Sequence, residues 1–390
     1  MTTQKKQKGK LVPILRFKGF DGGWKLTKLG EICNNFKSGE SITSKDIFDS
    51  GEFPVYGGNG LRGYTNKNTH EGFYVLIGRQ GALCGNINRV YGKTFISEHA
   101  IAVDANETSD TEWIAQKLAF INLNRLSESS AQPGLAVNKL LKLKLHLPTL
   151  PEQQKISSFL SSVDEKLSQL TRKKELLAQY KKGVMQQLFS GKLRFKDENG
   201  KEFKKWEEKR LGNLTYKVGK KNKENIKYPV YSINNKEGFL PQSEQFEGLD
   251  SVDRGYDISN YKIINKHTFA YNPARINVGS IGYSYELNEV LISSLYVCFK
   301  TEKELEDSYL LAYLSTYNFN KDILRFEEGG VRQYLFYENF SHIKIPLPSN
   351  KEQQKISTFL SSIDLKISAI TAQISQTQSF KKGLLQQMFV

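Results

Sequence analysis

The sequence predicts an α/β protein: two globular mixed α/β domains separated by two long helices that pair as an antiparallel coiled coil, with a pseudo-twofold internal repeat. Three observations predict it. Residues 152–164 read EQQKISSFLSSVD and residues 352–364 read EQQKISTFLSSID, eleven of thirteen positions identical at an offset of 200. Each segment opens a heptad pattern that persists to the matching ends KKGVMQQLF (181–189) and KKGLLQQMF (381–389). Ahead of each lies a stretch of short apolar alternations and Gly/Asn turns. A long shared period of this kind marks two copies of one building unit.

The repeat begins before the helices. Leu15-Arg16-Phe17-Lys18 returns as Leu193-Arg194-Phe195-Lys196, and Trp24 with Leu29-Gly30 returns as Trp206 with Leu211-Gly212. Phe53-Pro54-Val55-Tyr56 recurs loosely as Tyr228-Pro229-Val230-Tyr231, whereas residues from about 57 to 130 have no clear counterpart in 232–330. Two similar frames therefore hold two different contents. The boundaries this suggests are a first domain with a basic extension (1–147), a first spacer helix (148–191), a second domain (192–345) and a second spacer helix (346–390).

Within the domains, alternations such as those of 73–77 and 291–299 predict strands, and the patterns near 112–126 and 304–325 predict helices. From Pro151 the period becomes that of a long helix. With Ile156 as a d position, the seam continues through Leu160, Val163, Leu167, Leu170, Lys174, Leu177, Lys181, Val184 and Leu188, eight of ten apolar. The second copy gives Ile356, Leu360, Ile363, Ile367, Ile370, Ile374, Thr377, Lys381, Leu384 and Met388, again eight of ten. Sustained heptads indicate coiled-coil packing, and roughly 38 residues per helix amounts to about 57 Å. The duplication favours pairing within the chain, which would put the domains at opposite ends; a dimerisation coil between chains is the alternative. Joined tail to head, the sequence would close as two equivalent repeats.

The formal net charge is +15. It favours an anionic partner such as nucleic acid over the plainer reading of a lysine-rich solubilising surface. No apolar run approaches the ~20 residues needed to cross a bilayer, which suggests a cytoplasmic protein. Cys33, Cys84 and Cys298 lie far apart without CxxC spacing, so neither a disulfide framework nor a zinc site is predicted. His70, His99, His146, His267 and His342 form no metal motif. Gly92-Lys93-Thr94 lacks the earlier glycine of a phosphate loop, position 87 being Ile87. Asn272-Pro273-Ala274-Arg275 lacks the aromatic fourth residue of the tetrapeptide shared by amino-methyltransferases.

Loops rich in Gly, Asn, Arg and Gln carry the candidate DNA contacts. Arg can bind guanine O6 and N7 bidentately, and Asn or Gln can do the same for adenine N6 and N7. In the first domain the candidates are Asn59, Arg62, Tyr64 and Lys67, with Arg79 and Gln80 in the turn Gly78–Gly81. In the second they are Asn234 and Asn235 beside Lys236, and Asn272, Arg275 and Asn277. Gln132 and Arg332 match at offset 200, beside Ser129-Ser130 and Gly329-Gly330. On the polar helix faces, the partner-binding candidates are Gln153, Gln154, Gln186 and Gln187, with their copies Gln353, Gln354, Gln386 and Gln387.

The LPxLPEQQKI opening at 147–156, its copy at 347–356, the KKG-QQ-F helix ends and the Trp-Leu-Gly frames make the chain resemble the specificity subunit of type I restriction-modification systems. The second copy departs from the pattern with Ser349-Asn350-Lys351. The resemblance covers nearly the whole chain. It implies a noncatalytic subunit whose two target-recognition domains each read half of an interrupted DNA sequence, with the paired helices as a ruler. It implies double-stranded DNA, two modification subunits and restriction/translocase subunits as partners. It implies no cofactor in this chain, S-adenosylmethionine belonging to the modification subunits. Two other readings stay open: a DNA-binding coiled-coil scaffold, and a self-contained DNA methyltransferase, against which the missing motifs argue.

Overall fold

A computed structural model describes residues 12–127, 133–235, 237–246, 248–330 and 333–390. It divides inside both long helices: unit 1 comprises Met1–Arg172 with Thr371–Val390, and unit 2 comprises Lys173–Ile370.

Unit 1 contains β1 (Lys25–Lys28), β2 (Cys33–Ser38), β3 (Phe53–Gly57), β4 (Gly60–Thr65), β5 (His70–Gly78), β6 (Ile87–Ile96) and β7 (Ala100–Ala105). These are followed by α1 (Thr111–Ile121), α2 (Val137–Leu141), β8 (Lys144–Leu147) and the start of α3 (Leu150–Phe189). Six strands form one sheet in the order β2-β7-β5-β6-β3-β4. Its neighbours are antiparallel except β3 and β6, which run parallel with Val55 opposite Phe95. Side chains alternate across it, as strand geometry requires. Val75, Ile77, Ile101 and Val103 share one core with Trp113 and Leu118 of α1, while Leu76, Val90, Ile96, Ala100 and Ala102 fill the other face. Asp110 caps α1, its carboxylate accepting the Trp113 N–H at 2.7 Å. The helix expected to run through Leu126 ends earlier, because Asn122 turns left-handed at φ 56°, a conformation Asn tolerates. A 3-10 turn, Leu123–Leu126, completes the span.

Unit 2 takes the rest of α3, then β9 (Glu207–Arg210), β10 (Thr215–Lys217), β11 (Lys220–Lys221), β12 (Val230–Asn234), β13 (Gly238–Pro241) and α4 (Gln242–Gln245). Next come β14 (Lys262–Ile264), β15 (Phe269–Tyr271), β16 (Ile281–Tyr283), β17 (Val290–Ile292) and β18 (Val297–Thr301). Last are α5 (Asp307–Tyr313), α6 (Tyr317–Phe326), α7 (Tyr337–Phe340), β19 (Lys344–Leu347) and α8 (Asn350–Met388). The sheet orders β10-β18-β15-β16 and β11-β14-β17-β12-β13 repeat the unit 1 plan with its two longest strands interrupted. β14 and β15 stand where β5 does, and β16 and β17 where β6 does. The interruptions carry left-handed non-glycine residues, His267 on one side and Tyr285 and Glu289 on the other, which break the ladder. The parallel contact survives, with Val230 opposite Leu291. The alternation at 291–299, predicted as strand, is two strands around a turn at 293–296.

The repeated frame does the same work in each unit. β1 pairs with β8, and β9 with β19, as two-stranded antiparallel ribbons. The glycine of each Leu-Gly pair lies where the chain approaches closely: a Cβ on Gly30 would meet Leu141 at 3.0 Å, and one on Gly212 would meet Ser341 at 2.8 Å. Glu152, fully buried at the start of α3, accepts two bonds from the Arg16 guanidinium, both 2.7 Å, and a longer one from the Trp24 indole at 3.4 Å. Glu352 repeats this with Arg194 at 3.1 and 2.8 Å and Trp206 at 2.8 Å.

α3 and α8 are 40 and 39 residues long. In unit 1, Ile156, Leu160 and Val163 share a core with Leu384, Met388 and Phe389. In unit 2, Val184, Leu188 and Phe189 share one with Ile356 and Leu360. Low-numbered residues of one helix thus lie with high-numbered residues of the other, the antiparallel pairing the heptads predict. Lys181 and Lys381, two of the three basic seam positions, are matched rather than buried bare, bonding Asp364 at 2.6 Å and Asp164 at 2.5 Å; the third, Lys174, is half-buried.

Candidate nucleic-acid interface

Three turns of unit 1 converge at the end of the sheet: β3–β4, β5–β6 and β6–β7. Their backbones touch. A Cβ on Gly58 would lie 2.7 Å from both the Gly78 Cα and the His99 carbonyl oxygen, so no side chain fits there and glycine is required. The Arg79 N–H donates to the His99 carbonyl at 3.0 Å, and the Asn88 amide donates to the Gly58 carbonyl at 3.0 Å. The result is a cleft of about 410 Å³ lined by Gly57, Gly58, Asn59, Arg62, Gln80, Gly81 and His99. Asn59, Arg62, Gln80 and His99 are exposed, which leaves the polar heads of Asn59, Arg62 and Gln80 available to a ligand; the His99 Nε2 lies 3.4 Å from the Glu98 carboxylate.

Three of the sequence candidates, Asn59, Arg62 and Gln80, are therefore brought together, and three are not. The Arg79 side chain is half-buried and does not line the cleft; its backbone fixes the turn, its carbonyl accepting the Leu135 N–H at 3.0 Å. Tyr64 pairs through its backbone with Phe48, and the Lys67 ammonium sits 5.5 Å from the Phe95 ring centre. His99 lines the cleft although the sequence pattern gives it no place among the candidate DNA contacts, its motif context bearing only on metal ligation. The paired Ile96-Ser97 and Ile292-Ser293 were the available signal.

Unit 2 builds the same junction with other side chains. The Leu335 N–H donates to the Pro273 carbonyl at 3.0 Å, as Leu135 does to Arg79, so the loop from Asn272 occupies the place of Gly78–Gly81. It abuts the β12–β13 turn: a Cβ on Gly279 would lie 3.3 Å from the Asn235 carbonyl oxygen, and the Ser280 hydroxyl donates to the Ile233 carbonyl at 3.3 Å. Asn235, Arg275 and Asn277 are exposed and Asn234 is half-buried. Asn272 serves its own turn, its side-chain oxygen accepting the Ala274 N–H at 3.0 Å. Lys236, Ser129, Ser130, Gln132 and Arg332 lie outside the described residues.

The helix glutamines need a correction. Gln153 and Gln353 are fully buried rather than displayed on a polar face. Gln153 accepts the Asp110 N–H at 2.9 Å ahead of α1 and donates to the Pro148 carbonyl at 3.0 Å. Gln353 accepts the Glu306 N–H at 2.8 Å ahead of α5 and donates to the Pro348 carbonyl at 2.9 Å. They join each long helix to the domain helix beside it, which leaves them no free valence for a partner. Gln154, Gln186, Gln187, Gln354, Gln386 and Gln387 are exposed.

The thiols are unsuited to nucleophilic work. Burial, aided by the Asp104 charge, pushes Cys33 up to about 12; burial also pushes Cys298 up to about 12 and raises Cys84. Only the thiolate is a good nucleophile. Among the described residues no group of three or more His, Cys, Asp or Glu is placed to hold a metal ion, and no helix is long and apolar enough to cross a membrane.

Comparison with known proteins matches this arrangement. The sequence model described as "Type I restriction modification DNA specificity domain" matches twice, at residues 21–178 and 203–377. The type I restriction enzyme EcoprrI specificity subunit of Escherichia coli is 39% identical over 162 residues, covering 40% of this chain and 40% of that protein's length. A putative MjaX specificity subunit of Methanocaldococcus jannaschii is 25% identical over 371 residues, covering 92% of this chain and 77% of the relative. In fold, the crystal structure of a type I restriction-modification S subunit from M. genitalium superposes with a TM-score of 0.68 at 18% identity, over 97% of this chain and 99% of that one. A second structure, described by complex assembly and conformational transition of the type I R-M system, gives 0.52 at 16% identity over 95% and 98%. With both repeats matched, the chain belongs to the type I restriction-modification DNA specificity family and carries its domain twice.

Proposed function

We propose that the chain reads a two-part DNA target, one part through each unit, and holds modification and restriction subunits on that target without catalysing a step itself. The observation that carries this reading is that one frame, built twice, presents unlike polar loops at corresponding places: the cleft of Asn59, Arg62, Gln80 and His99 in unit 1, and the abutting loops that expose Asn235, Arg275 and Asn277 in unit 2. Equal frames with unequal linings suit two readers of unlike sequence. The +15 charge supplies the sequence-independent attraction to phosphates. The gap between half-sites would follow the helices, as half-site spacing follows protein geometry.

A partner that meets both repeats should meet the surface they share. Gln154, Gln186 and Gln187 recur as Gln354, Gln386 and Gln387, exposed in both copies. Two identical modification subunits, one per repeat, fit that duplication, and S-adenosylmethionine would be bound in them. The test is domain exchange. With residues 20–147 replaced by the corresponding region of a relative, mapping of methylated adenines in the host genome should show one half of the target changed and the other intact. A change in both halves together would refute the two-reader assignment.

A further inference from the structure

The turn after the parallel strand is built alike in both units. Ile96-Ser97-Glu98-His99-Ala100 follows Ile96 opposite Tyr56, and Ile292-Ser293-Ser294-Leu295-Tyr296 follows Ile292 opposite Tyr231. Each turn closes on the same bond, Ala100 N–H to the Ser97 carbonyl at 3.0 Å and Tyr296 N–H to the Ser293 carbonyl at 3.2 Å. His99 and Leu295 are therefore one position of the frame. In unit 1 it lines the polar cleft. In unit 2 it holds a leucine that is 74% exposed. The surroundings place that leucine in the junction: the Tyr296 hydroxyl accepts the Ile233 N–H at 3.3 Å, and the Ile233 carbonyl accepts the Ser280 hydroxyl. On the Ser280 loop, Val278 is 54% exposed. A lone exposed leucine is ordinary; one at the position where the sister unit lines its cleft, with a second exposed aliphatic on the adjoining loop, indicates an apolar contact made by the ligand.

We propose that Leu295 is a specificity-determining residue of unit 2 that meets the 5-methyl group of a thymine, with His99 making a polar contact at the same position of unit 1. This rests on the DNA-reading function proposed above. The thymine methyl is the one apolar group on a base edge in the major groove, and aliphatic side chains distinguish thymine by touching it.

The test uses the full chain assembled with its modification subunits, on a duplex carrying the target defined by methylation mapping. Each thymine is replaced in turn by deoxyuridine, which removes only the methyl. One replacement in the half-site read by unit 2 should weaken binding about fourfold, the worth of one buried methyl at about 0.8 kcal/mol. The same replacement should have no effect on Leu295→Ala, whose melting temperature should match the wild type because the side chain is exposed. His99→Leu should alter base preference in the other half-site only. If no thymine methyl in the unit 2 half-site matters, or if Leu295→Ala keeps the fourfold response, the proposal fails. If Leu295→Ala releases a protein subunit while the uridine response stays, Leu295 is a protein contact and the proposal also fails. A wild-type complex without sequence preference would remove the DNA-reading function and the proposal together, an outcome distinct from a selective complex indifferent to Leu295.

Discussion

Replacing Glu352 by glutamine should lower the stability of unit 2 by about 3 kcal/mol. The carboxylate is fully buried and satisfies three donors, two from Arg194 and one from Trp206. Glutamine keeps the shape, but puts an NH2 group where one oxygen accepted bonds and removes the guanidinium's hydrogen-bonded counter-charge, leaving only the charge of Glu202 acting on it. Breaking a buried pair from one side costs about 3 to 5 kcal/mol. The Arg194 side chain is 26% exposed, so water partly compensates and the lower end of that range applies. Each kcal/mol shifts the melting temperature of a domain of this size by about 2 to 4 °C, so calorimetry of the full chain should show a drop of about 6 to 12 °C. A double-mutant cycle with Arg194→Ala should give a coupling of at least about 1.5 kcal/mol, because the residues share the bonds being broken. A Glu352→Gln protein that melts with the wild type, or a cycle that is additive, would show that the latch does not hold the frame.

Three further outcomes are expected. Leu160→Ala, at a fully buried seam position in the core that also holds Met388, should cost about 2 to 5 kcal/mol by chemical denaturation, far more than Ile367→Val at a half-buried one. Lys117 is buried, and desolvation lowers its amine from 10.5 to about 8; the unfolded chain therefore binds the extra proton between those values, and stability contributed by this group rises with pH across that window. Measured against Lys117→Met, the wild type should gain on the order of 2 to 3 kcal/mol from pH 8 to 10.5, and a constant difference would refute the burial argument. Arg62→Ala should relax one half-site by about 1 to 3 kcal/mol if the guanidinium takes a base edge, whereas Arg79→Ala, outside the cleft, should do less in the same binding assay.

The parts legible in the sequence are those that do the same job twice. Glu152 and Glu352 each hold an arginine and a tryptophan, and Leu29-Gly30 and Leu211-Gly212 each pack a ribbon end, so those residues had to match and their repetition exposed the frame. The seam was legible because burial enforces its period. What the sequence hid depends on facing and on rare backbone states. Gln153 lies three residues before Ile156, on the seam side, and Gln154 does not; what the pattern cannot supply is the pair of groups Gln153 bonds, the Asp110 N–H and the Pro148 carbonyl. The broken sheet of unit 2 turns on positive φ at His267, Tyr285 and Glu289, which no glycine announces. The cleft brings Asn59, Gln80 and His99 together from three separate turns, and no spacing rule links them.

The frame does not depend on the path of the chain. After α3, the Leu193 N–H donates to the Gln187 carbonyl at 3.1 Å as the chain simply continues. At the end of α8, the Leu15 N–H donates to the Gln387 carbonyl at 2.9 Å, although the two residues belong to distant segments. Phe17 and Phe195 then meet Phe159 and Phe359 edge-on at 5.6 and 5.7 Å. The same contact is made once through the chain and once across it, so noncovalent packing alone suffices to set it. From there the constraint passes inward: the glutamate fixes the arginine and tryptophan, the buried glutamine fixes the start of α1 or α5, and in unit 1 α1 packs on the sheet whose turns form the cleft. The turns lie at the end of that chain of contacts. Their side chains can change without disturbing the frame, which is why identity between the copies is high in α3 and α8 and absent at the positions that would touch DNA.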